Sequence, residues 1–362
     1  MTEGPAITLR PATKKLAEVP AETRIDWLRD MMVIREFEIR TMQAYQEARI
    51  GGFCHIYIGQ EALAVGCVAA MKPEDPLVTA YRDHGHGLAR GMEPQYGMAE
   101  MFGKIGGCAK GKGGSMHFFD RRNQMYGGHG IVGGQTALGA GLAFACKYEN
   151  EVMNEGEKRV AVCFLGDGAL NQGTLHESMN LCAVLGLPCV YVVENNRYSM
   201  GTAIERGTSM AHDLTAKAKA YGMEGYCIPG MDVLEVYSNM KKIIDRCREE
   251  QRPEFVDIQT YRYKGHSMSD PQKYRTKDEV GEFEAQDPID RLAGALIEEG
   301  SLSEDDYKSM RQDIRYEIRE AIEWAEESPD PDPSEDLYSD VLIEPYGPYR
   351  DTTLPEMLQD RD

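Results

Sequence analysis

The sequence lacks any apolar run near the roughly 18 residues that are needed to cross a membrane. It is also poor in positive charge, because 40 Lys and Arg stand against 60 Asp and Glu and give a formal net charge of −20. This imbalance argues against nucleic acid and against anionic membrane surfaces as partners. The apolar content of 42% is typical of globular proteins. We therefore expect a globular chain that binds neither nucleic acid nor a membrane.

The nine cysteines are an odd number and include no CxxC pair. Most of them lie within apolar runs, so buried free thiols are expected, and these indicate a reducing compartment. Residues 1–20 carry acids and prolines and lack the apolar centre of a signal peptide, which also makes them a poor organellar transit peptide. We therefore expect the cytoplasm of a bacterium rather than the mitochondrial matrix.

The length of 362 residues allows one large domain or two ordinary ones. We interpret residues 1–20 as a flexible N-terminal arm, 21–327 as one catalytic domain and 328–362 as a Pro/Asp-rich C-terminal extension. The acidic stretch SPDPDPSED at the start of this extension is interpreted as a solvated surface. Whether the extension packs on another chain or stays in solvent is left open by the sequence.

The order of the predicted elements indicates the fold class. Apolar runs predict strands at 76–81, 160–165, 189–193 and 255–261. Helices are predicted at 22–49, 60–71, 136–147, 172–185, 211–221, 232–251, 288–300 and 304–327. This alternation predicts an α/β fold with a mainly parallel, doubly wound sheet and helices on both faces. Residues 104–134 are instead interpreted as a glycine-dense loop that wraps closely around a ligand or a partner chain.

The stretch FLGDGALNQG places Asp167 between two glycines at the end of a predicted strand. Asn196 follows the next strand, so both side chains lie at the same edge of a parallel sheet. Carboxylate and amide oxygens are ligands that suit Mg²⁺, which commonly completes its octahedral shell with phosphate oxygens and water. Gly166 and Gly168 let the backbone approach a diphosphate beside the N-terminus of the following helix. The two strand ends together therefore predict a site for a magnesium-bound diphosphate.

A resemblance extends this prediction. GDG followed by NN resembles the diphosphate-binding signature of thiamine-diphosphate enzymes. The blocks GFCHIYIGQEA, AYRDHGHGLARG, GGCAKGKGGSMH, GIVGGQ, ENNRYSMGT and QTYRYKGHSMSDP are together similar to the α chains of two-chain pyruvate dehydrogenases. They extend from about residue 22 to 325. The resemblance implies a thiamine-diphosphate-binding fold.

The resemblance also implies roles for particular residues. It implies that Mg²⁺ is bound by the side chains of Asp167 and Asn196 and by the backbone carbonyl of Tyr198. The other implied cofactor contacts are the backbone of Gly168 and Ala169 and the side chains of Tyr81 and Arg82 at the diphosphate, and Gly130 and Val132 at the cofactor rings. Val132 or Met200 is expected to be the apolar wedge that holds the cofactor bent.

Two histidines are implied to be catalytic. His55 and His266 are expected to face the reacting centre, where an imidazole that titrates near neutrality can supply hydrogen bonds and protons. His266 is also implied to contact the cofactor. The other histidines that we weighed are interpreted as structural, namely His84, His86, His117, His129 and His176. The sequence GKGG at 111–114 lacks the full spacing of a phosphate-binding loop and is discounted.

The implied activity is oxidative decarboxylation of pyruvate with reductive acetylation of lipoyl groups on a dihydrolipoyl acetyltransferase. In this family a separate β chain supplies the glutamate that activates the cofactor. The expected assembly is therefore a heterotetramer of two α and two β chains, which docks on the acetyltransferase core of a complex that forms acetyl-CoA and CO₂. Control by phosphorylation is predicted to be absent, because only Ser267 of the family's serine sites is retained.

Three other readings remain open at this point. One is the α chain of a branched-chain 2-oxo acid or acetoin dehydrogenase, since pocket size is not visible in one sequence. Another is a magnesium-dependent phosphoryl-transfer enzyme, which would need no partner chain. The third is a non-catalytic scaffold, which the presence of Asp167, Asn196, His55 and His266 disfavours.

Overall fold

The computed structural model describes residues 19–337 and 339–340. The predicted arm at 1–20 thus lies almost entirely outside the described residues, as does most of the extension at 328–362. The described strands are β1 (Leu77–Ala80), β2 (Met125–His129), β3 (Ala161–Gly166), β4 (Cys189–Asn195), β5 (Tyr198–Ser199), β6 (Thr202–Ala203), β7 (Glu224–Pro229) and β8 (Glu254–Gln259).

Helices fill most of the remaining chain. They are α1 (Ala21–Gln46), α2 (Glu61–Ala70), α3 (His84–Ala89), α4 (Pro94–Met101), α5 (Gly134–Glu151), α6 (Gly173–Leu185), α7 (Ile204–Gly207), α8 (Thr215–Lys219), α9 (Val233–Glu250), α10 (Lys277–Glu284), α11 (Pro288–Glu298), α12 (Glu304–Glu327) and α13 (Pro333–Asp336). Local chemistry fixes several ends. The Asp232 carboxylate accepts from the first amides of α9, and Gly186 ends α6 in the left-handed conformation, with φ at 59°. Within the described ranges, none of these helices is both long and apolar enough to cross a membrane.

Six strands form one sheet in the order β2-β1-β3-β4-β8-β7, and every pair in it is parallel. Side chains of β3 alternate between two buried cores, with Val162 and Phe164 on one face and Cys163 and Leu165 on the other. Helices α1, α2 and α9 cover the first face, and α5 and α6 cover the second. The prediction of a mainly parallel, doubly wound α/β fold is therefore confirmed.

The strand order reverses at β1. The chain leaves β1 for β2 on one side and then returns to β3 on the other side. At such a switch point the connections leave in opposite directions and open a crevice at the carboxyl ends of the strands. The crevice lies where β1 and β3 end, at Ala80 and Gly166.

Several element predictions need correction. The segment 104–134 is not all loop, because it contains the edge strand β2 as well as short 3₁₀ turns at Gly114–Met116 and Arg121–Asn123. Strand β7 and helix α10 were not predicted. The helix predicted at 211–221 shrinks to the five residues of α8.

The glycine-dense loop wraps around a side chain of its own chain. Glu100 on α4 is fully buried. Its Oε2 accepts from the amides of Ala109 and Gly111 at 2.7 and 2.9 Å, and its Oε1 accepts from those of Gly113 and Gly114 at 2.7 and 3.0 Å. Part of this segment is therefore wrapped around an internal carboxylate, and contact of the segment with a ligand or a partner chain stays a prediction.

The beginning of the C-terminal extension packs on the same loop. The amide of Ile105 donates to the carbonyl of Pro329 at 3.0 Å, and the amide of Gly106 donates to the Ser328 hydroxyl at 3.0 Å. Further along, Asp340 accepts from Lys110 at 2.9 Å. The beginning of the extension thus contacts its own chain, and whether the extension also packs on another chain stays open.

Candidate active site

The crevice opens into a cavity of about 630 Å³. Its lining includes all eleven residues proposed from the sequence: His55, Tyr81, Arg82, Gly130, Val132, Asp167, Gly168, Ala169, Asn196, Tyr198 and His266. They come from the segments that follow β1, β2, β3, β4 and β8, together with the segment before α2. A doubly wound sheet brings such separate segments together because its parallel strands all end at one edge.

Asp167 begins a 3₁₀ turn between β3 and α6. Its Oδ1 accepts from the amide of Gly168 at 2.8 Å, whereas its buried Oδ2 has no hydrogen-bond partner among the described residues. Burial raises the pKa of this carboxyl to about 6. A buried carboxylate without a full set of partners is costly, and a cation would satisfy it. This unpartnered oxygen fits a metal site.

Two more oxygens belong to residues that line the same cavity as Asp167. Asn196 Oδ1 and the backbone carbonyl oxygen of Tyr198 are each 3.3 Å from Nη1 of Arg262. The amide nitrogen of Asn196 donates to Gln60 Oε1 at 3.0 Å, which turns Oδ1 the other way. A carboxylate, an amide and a carbonyl form the all-oxygen set that Mg²⁺ prefers.

The glycines around Asp167 serve two purposes. A Cβ added at Gly166 would meet nothing within 4 Å, so the absence of a side chain there leaves room beside the cavity. A Cβ added at Gly168 would lie 2.0 Å from the hydroxyl of Ser199, so glycine is needed for β5 to pack. The backbone of this turn is therefore open to a ligand on one side and tightly packed on the other.

His55 and His266 face each other with ring centroids 5.1 Å apart, and Tyr81 lies 4.7 Å from His55. Nδ1 of each imidazole is buried without a partner in the described part of the chain. Burial, helped by the nearby Arg82 charge, lowers the pKa of His55 to about 2 and that of His266 to about 3. The expectation that these imidazoles titrate near neutrality is therefore wrong for the site as it stands, because desolvation keeps both of them neutral.

Arg82 makes contacts that the sequence did not suggest. Its Nη1 donates to the carbonyl of Ile56 at 2.6 Å and its Nη2 to the carbonyl of His266 at 2.7 Å. The guanidinium thus ties the backbone beside His55 to the loop that carries His266. These bonds use two of the five N–H donors of the guanidinium, so the role at a diphosphate that the resemblance implies stays a prediction.

A polar network supports His55 from behind. The amide of His55 donates to the hydroxyl of Ser115 at 3.0 Å, and Ser115 also contacts Nε2 of His84 at 3.0 Å. On its other side His84 lies 3.0 Å from the carboxylate of Glu38. The structural reading of His84 agrees with these contacts, since it links α1, α3 and the glycine-dense loop.

Val132 and Met200 both line the cavity, so the geometry does not choose between them as the apolar wedge. Met200 has a φ of 53° in the turn between β5 and β6. A left-handed conformation is uncommon for a residue other than glycine and is often found at functional sites.

Sequence reasoning missed Gln60, Glu194 and Arg262, which also line the cavity. Arg262 is the informative omission, because it follows β8, the strand beside β4. The rule that placed Asn196 at the sheet edge also applies to the residues after 255–261, and it could have indicated Arg262.

The fold is a doubly wound parallel sheet with a glycine-lined cavity at its switch point. This is the arrangement in which α/β enzymes commonly bind ligands with phosphate groups. The family described as "Dehydrogenase E1 component" matches residues 29–334. The chain belongs to this family, and membership implies dependence on thiamine diphosphate and a complex with partner chains. The resemblance found in the motifs is thereby confirmed.

Individual relatives agree. The chain is 45% identical over 322 residues to the pyruvate dehydrogenase E1 component subunit alpha of Rickettsia bellii (strain RML369-C), a match that covers 89% of this chain and 96% of that protein. It is 44% identical over 329 residues to the subunit of the same name from Rhizobium meliloti (strain 1021), covering 91% and 92%. The testis-specific mitochondrial form from Rattus norvegicus is 43% identical over 323 residues, covering 87% and 78%.

Proposed function

We propose that the chain is the α subunit of a pyruvate dehydrogenase and that it holds thiamine diphosphate with Mg²⁺ in the crevice beside β1 and β3. One observation carries the cofactor site: the eleven residues chosen from sequence line one cavity, and within it a buried oxygen of Asp167 lacks a partner among the described residues. In this proposal Asp167, Asn196 and the Tyr198 carbonyl hold the metal. The backbone of Gly168 and Ala169 holds the diphosphate.

The bound cofactor supplies the electron sink for decarboxylation of a 2-oxo acid. The chain's own residues orient the reactants. His55 and His266 are neutral, and the unpartnered Nδ1 of each can donate or accept one hydrogen bond. Each imidazole can therefore hold a proton between itself and a substrate oxygen without carrying a charge. Arg82 fixes the spacing of the two rings through its backbone contacts, while Tyr81 packs against both rings.

The proposed partner is a β subunit, in a heterotetramer of two α and two β chains that acetylates the lipoyl groups of a dihydrolipoyl acetyltransferase. Apolar side chains at the cavity mouth support coverage by another chain, since Phe53 is 67% exposed, Met200 64% and the neighbouring Ile131 77%. Apolar groups clustered at a cavity mouth are typical of interaction sites. The other chain would also bring the glutamate that activates the cofactor.

The cytoplasm of a bacterium is the proposed location. All nine cysteines are free, and seven of them are buried. Free buried thiols suit a reducing compartment. The Rickettsia and Rhizobium relatives come from bacteria.

The proposal is tested by co-expressing the chain with a candidate β chain. Dye-coupled oxidation of pyruvate, 2-oxoisovalerate and acetoin is then measured with thiamine diphosphate and Mg²⁺. We expect a strong preference for pyruvate that is abolished by Asp167→Ala. Preference for the branched acid or for acetoin would retain the cofactor site and move the chain to a sister activity. Turnover of none of the three, or robust turnover by the chain alone, would contradict the proposal.

A further inference from the structure

Arg262 is the largest fully buried side chain among the described residues, and it is only 1% exposed. It follows strand β8 and reaches the floor of the cavity. Its Nη1 lies 3.3 Å from Asn196 Oδ1 and 3.3 Å from the carbonyl oxygen of Tyr198. These are two of the three oxygens assigned above to the metal.

The other nitrogens of the same guanidinium bind the loop that carries His266. Nε donates to the carbonyl of Lys264 at 3.1 Å, and Nη2 donates to the hydroxyl of Tyr274 at 3.0 Å. Tyr274 in turn donates to Asp270 at 2.6 Å, and the same carboxylate accepts from the amide of His266 at 2.6 Å. Arg262 therefore touches the metal ligands with one arm and the His266 loop with the other two nitrogens.

We infer that Arg262 is a stand-in cation, which holds Asn196 Oδ1 and the Tyr198 carbonyl in place until a divalent cation takes those oxygens from it. The inference rests on the proposed function. It follows from two physical points. Polar oxygens in a cavity need a donor when no metal is bound; the amide of Tyr198 lies 3.4 Å from Asn196 Oδ1, and Arg262 is the donor that both oxygens share. A divalent cation and a guanidinium on the same two oxygens would repel each other strongly at such short range in a buried site.

The guanidinium can release these oxygens without losing all of its partners. Because a guanidinium is a rigid plane, Nη1 leaves the two oxygens only if the whole group shifts, and the Lys264 carbonyl and the Tyr274 hydroxyl are the partners towards which it can shift. Arg262 is thus a positioning residue, because it acts through the ligands and the loop. Metal entry and the placement of His266 become linked through one side chain.

The inference predicts that removing the guanidinium tightens metal binding. If Arg262 occupies the two oxygens in about nine-tenths of the metal-free molecules, only about a tenth can bind the metal directly. Removing the guanidinium then tightens the apparent metal affinity about tenfold. We therefore expect Arg262→Met, which keeps the length and loses the charge, to bind Mn²⁺ about tenfold tighter than the unaltered chain. The metal-free form of the variant should also melt at a lower temperature.

Arg275→Met is the matched control. Arg275 is also buried, and it also anchors this loop, through the carbonyls of Arg262 and Lys264. None of its hydrogen bonds goes to Asn196 or Tyr198. Loosening the loop without freeing the two oxygens should leave the Mn²⁺ affinity within about twofold of the unaltered protein.

The experiment uses the co-purified αβ complex, stripped of metal, at a fixed saturating concentration of thiamine diphosphate. Mn²⁺ is titrated in, and its free concentration is read from its electron paramagnetic resonance signal. Equal or weaker binding by Arg262→Met than by the unaltered complex overturns the inference alone. Failure of the unaltered complex to bind Mn²⁺ overturns both the inference and the proposed cofactor site.

A second measurement needs no variant, in case Arg262→Met does not fold. Crystals of the unaltered complex are compared with and without Mn²⁺, which anomalous scattering locates. We expect Nη1 to contact both oxygens in the metal-free crystal and to leave them when Mn²⁺ is bound. Retention of both contacts beside the bound metal contradicts the inference.

Discussion

At the scale of single residues, the buried carboxylate of Asp167 lowers the stability of the metal-free chain at a candidate functional site. Its carboxylate is buried, and Oδ2 has no partner among the described residues. Burial raises its pKa from 3.8 to about 6, and a difference of that size corresponds to about 3 kcal/mol of stability lost at neutral pH. The folded metal-free chain therefore carries a charge that the unfolded chain carries at lower cost.

Asp167→Asn should stabilise the metal-free chain by about 1–3 kcal/mol at pH 8. The amide keeps the bond from Gly168 and removes the charge. Because the folded pKa is the higher one, the cost of the charge is full above pH 6 and fades as the pH falls towards 4. Urea denaturation in EDTA at pH 8 and pH 4 measures the gain, with the exposed Asp305→Asn as control. A variant that is no more stable at pH 8 would contradict the raised pKa.

The neutral state of His55 and His266 predicts an unusual titration. Burial lowers the pKa of both imidazoles far below the ordinary value of 6.5. In the metal-free chain we expect their ¹³Cε1 chemical shifts to stay constant between pH 5.5 and 8. Histidine-labelled NMR measures this, and His55→Gln and His266→Gln assign the signals. A midpoint near pH 6.5 for either ring would show that the imidazole is solvated.

Some residues of the candidate site can be predicted from the sequence more easily than others. Asp167 and Asn196 could be found because each follows an apolar run at the end of a strand. Arg262 follows such a run too, but a charged side chain near a strand end gives no sign that it will be fully buried. Arg82 was expected at a ligand, and in the structure it binds backbone carbonyls. Which partner a long side chain binds depends on how the surrounding elements pack. The apolar periodicity of the sequence does not determine this packing.

At the scale of elements, the glycine-dense loop depends on one carboxylate. Glu100 on α4 accepts four backbone hydrogen bonds from it. The loop leads to Ser115, which binds the amide of His55. A buried side chain on α4 thus helps to set the position of a candidate catalytic residue through this loop.

Glu100→Gln should destabilise the chain by about 2–4 kcal/mol, because the new NH₂ group would face two amide donors in a buried place. Urea denaturation measures the loss, and limited proteolysis should show faster cutting within 107–116. Glu93→Gln, at the exposed start of the same helix, should change stability by less than about 0.5 kcal/mol. Equal effects of the two substitutions would contradict a special role for Glu100.

Elements with a strong apolar pattern were predicted within a few residues, as β3, β4 and α12 show. Strand β2 was missed because MYGGH contains two glycines and lies at the sheet edge, where pairing on one side suffices. Helix α8 was overextended because the sequence from Ala211 to Tyr221 is rich in good helix formers, whereas only Thr215–Lys219 is helical. Propensity is a weak guide when tertiary contacts decide the ends.

At the scale of the whole molecule, the two faces of the sheet are covered unequally. The first face lies under several helices, while α5 and α6 on the second face leave large apolar side chains exposed. Among these, Val184 is 73% exposed, Leu181 49% and Phe144 49%. Helices α5 and α6 pack side by side, so we define these three residues as the α5–α6 patch. The sequence indicated both helices but not this exposure, because a half-covered helix and a fully covered one share the same small apolar residues.

The α5–α6 patch should be covered in the assembled enzyme, because exposed apolar surface of this kind marks contacts between chains. The double substitution Phe144→Lys and Val184→Lys should therefore prevent the co-expressed α and β chains from forming a heterotetramer, as measured by light scattering. The melting temperature of the isolated chain should hardly change, since neither side chain is buried in it.

Tyr316→Lys on α12 is the control, because Tyr316 is a similarly exposed large side chain, at 46%, on a different helix. It should leave the mass of the assembly unchanged. A full-sized assembly of the doubly substituted chain would show that the α5–α6 patch faces solvent in the complex. The contact with the partner would then lie elsewhere, and the exposed apolar side chains around the cavity mouth, Phe53, Ile131 and Met200, would be the first candidates.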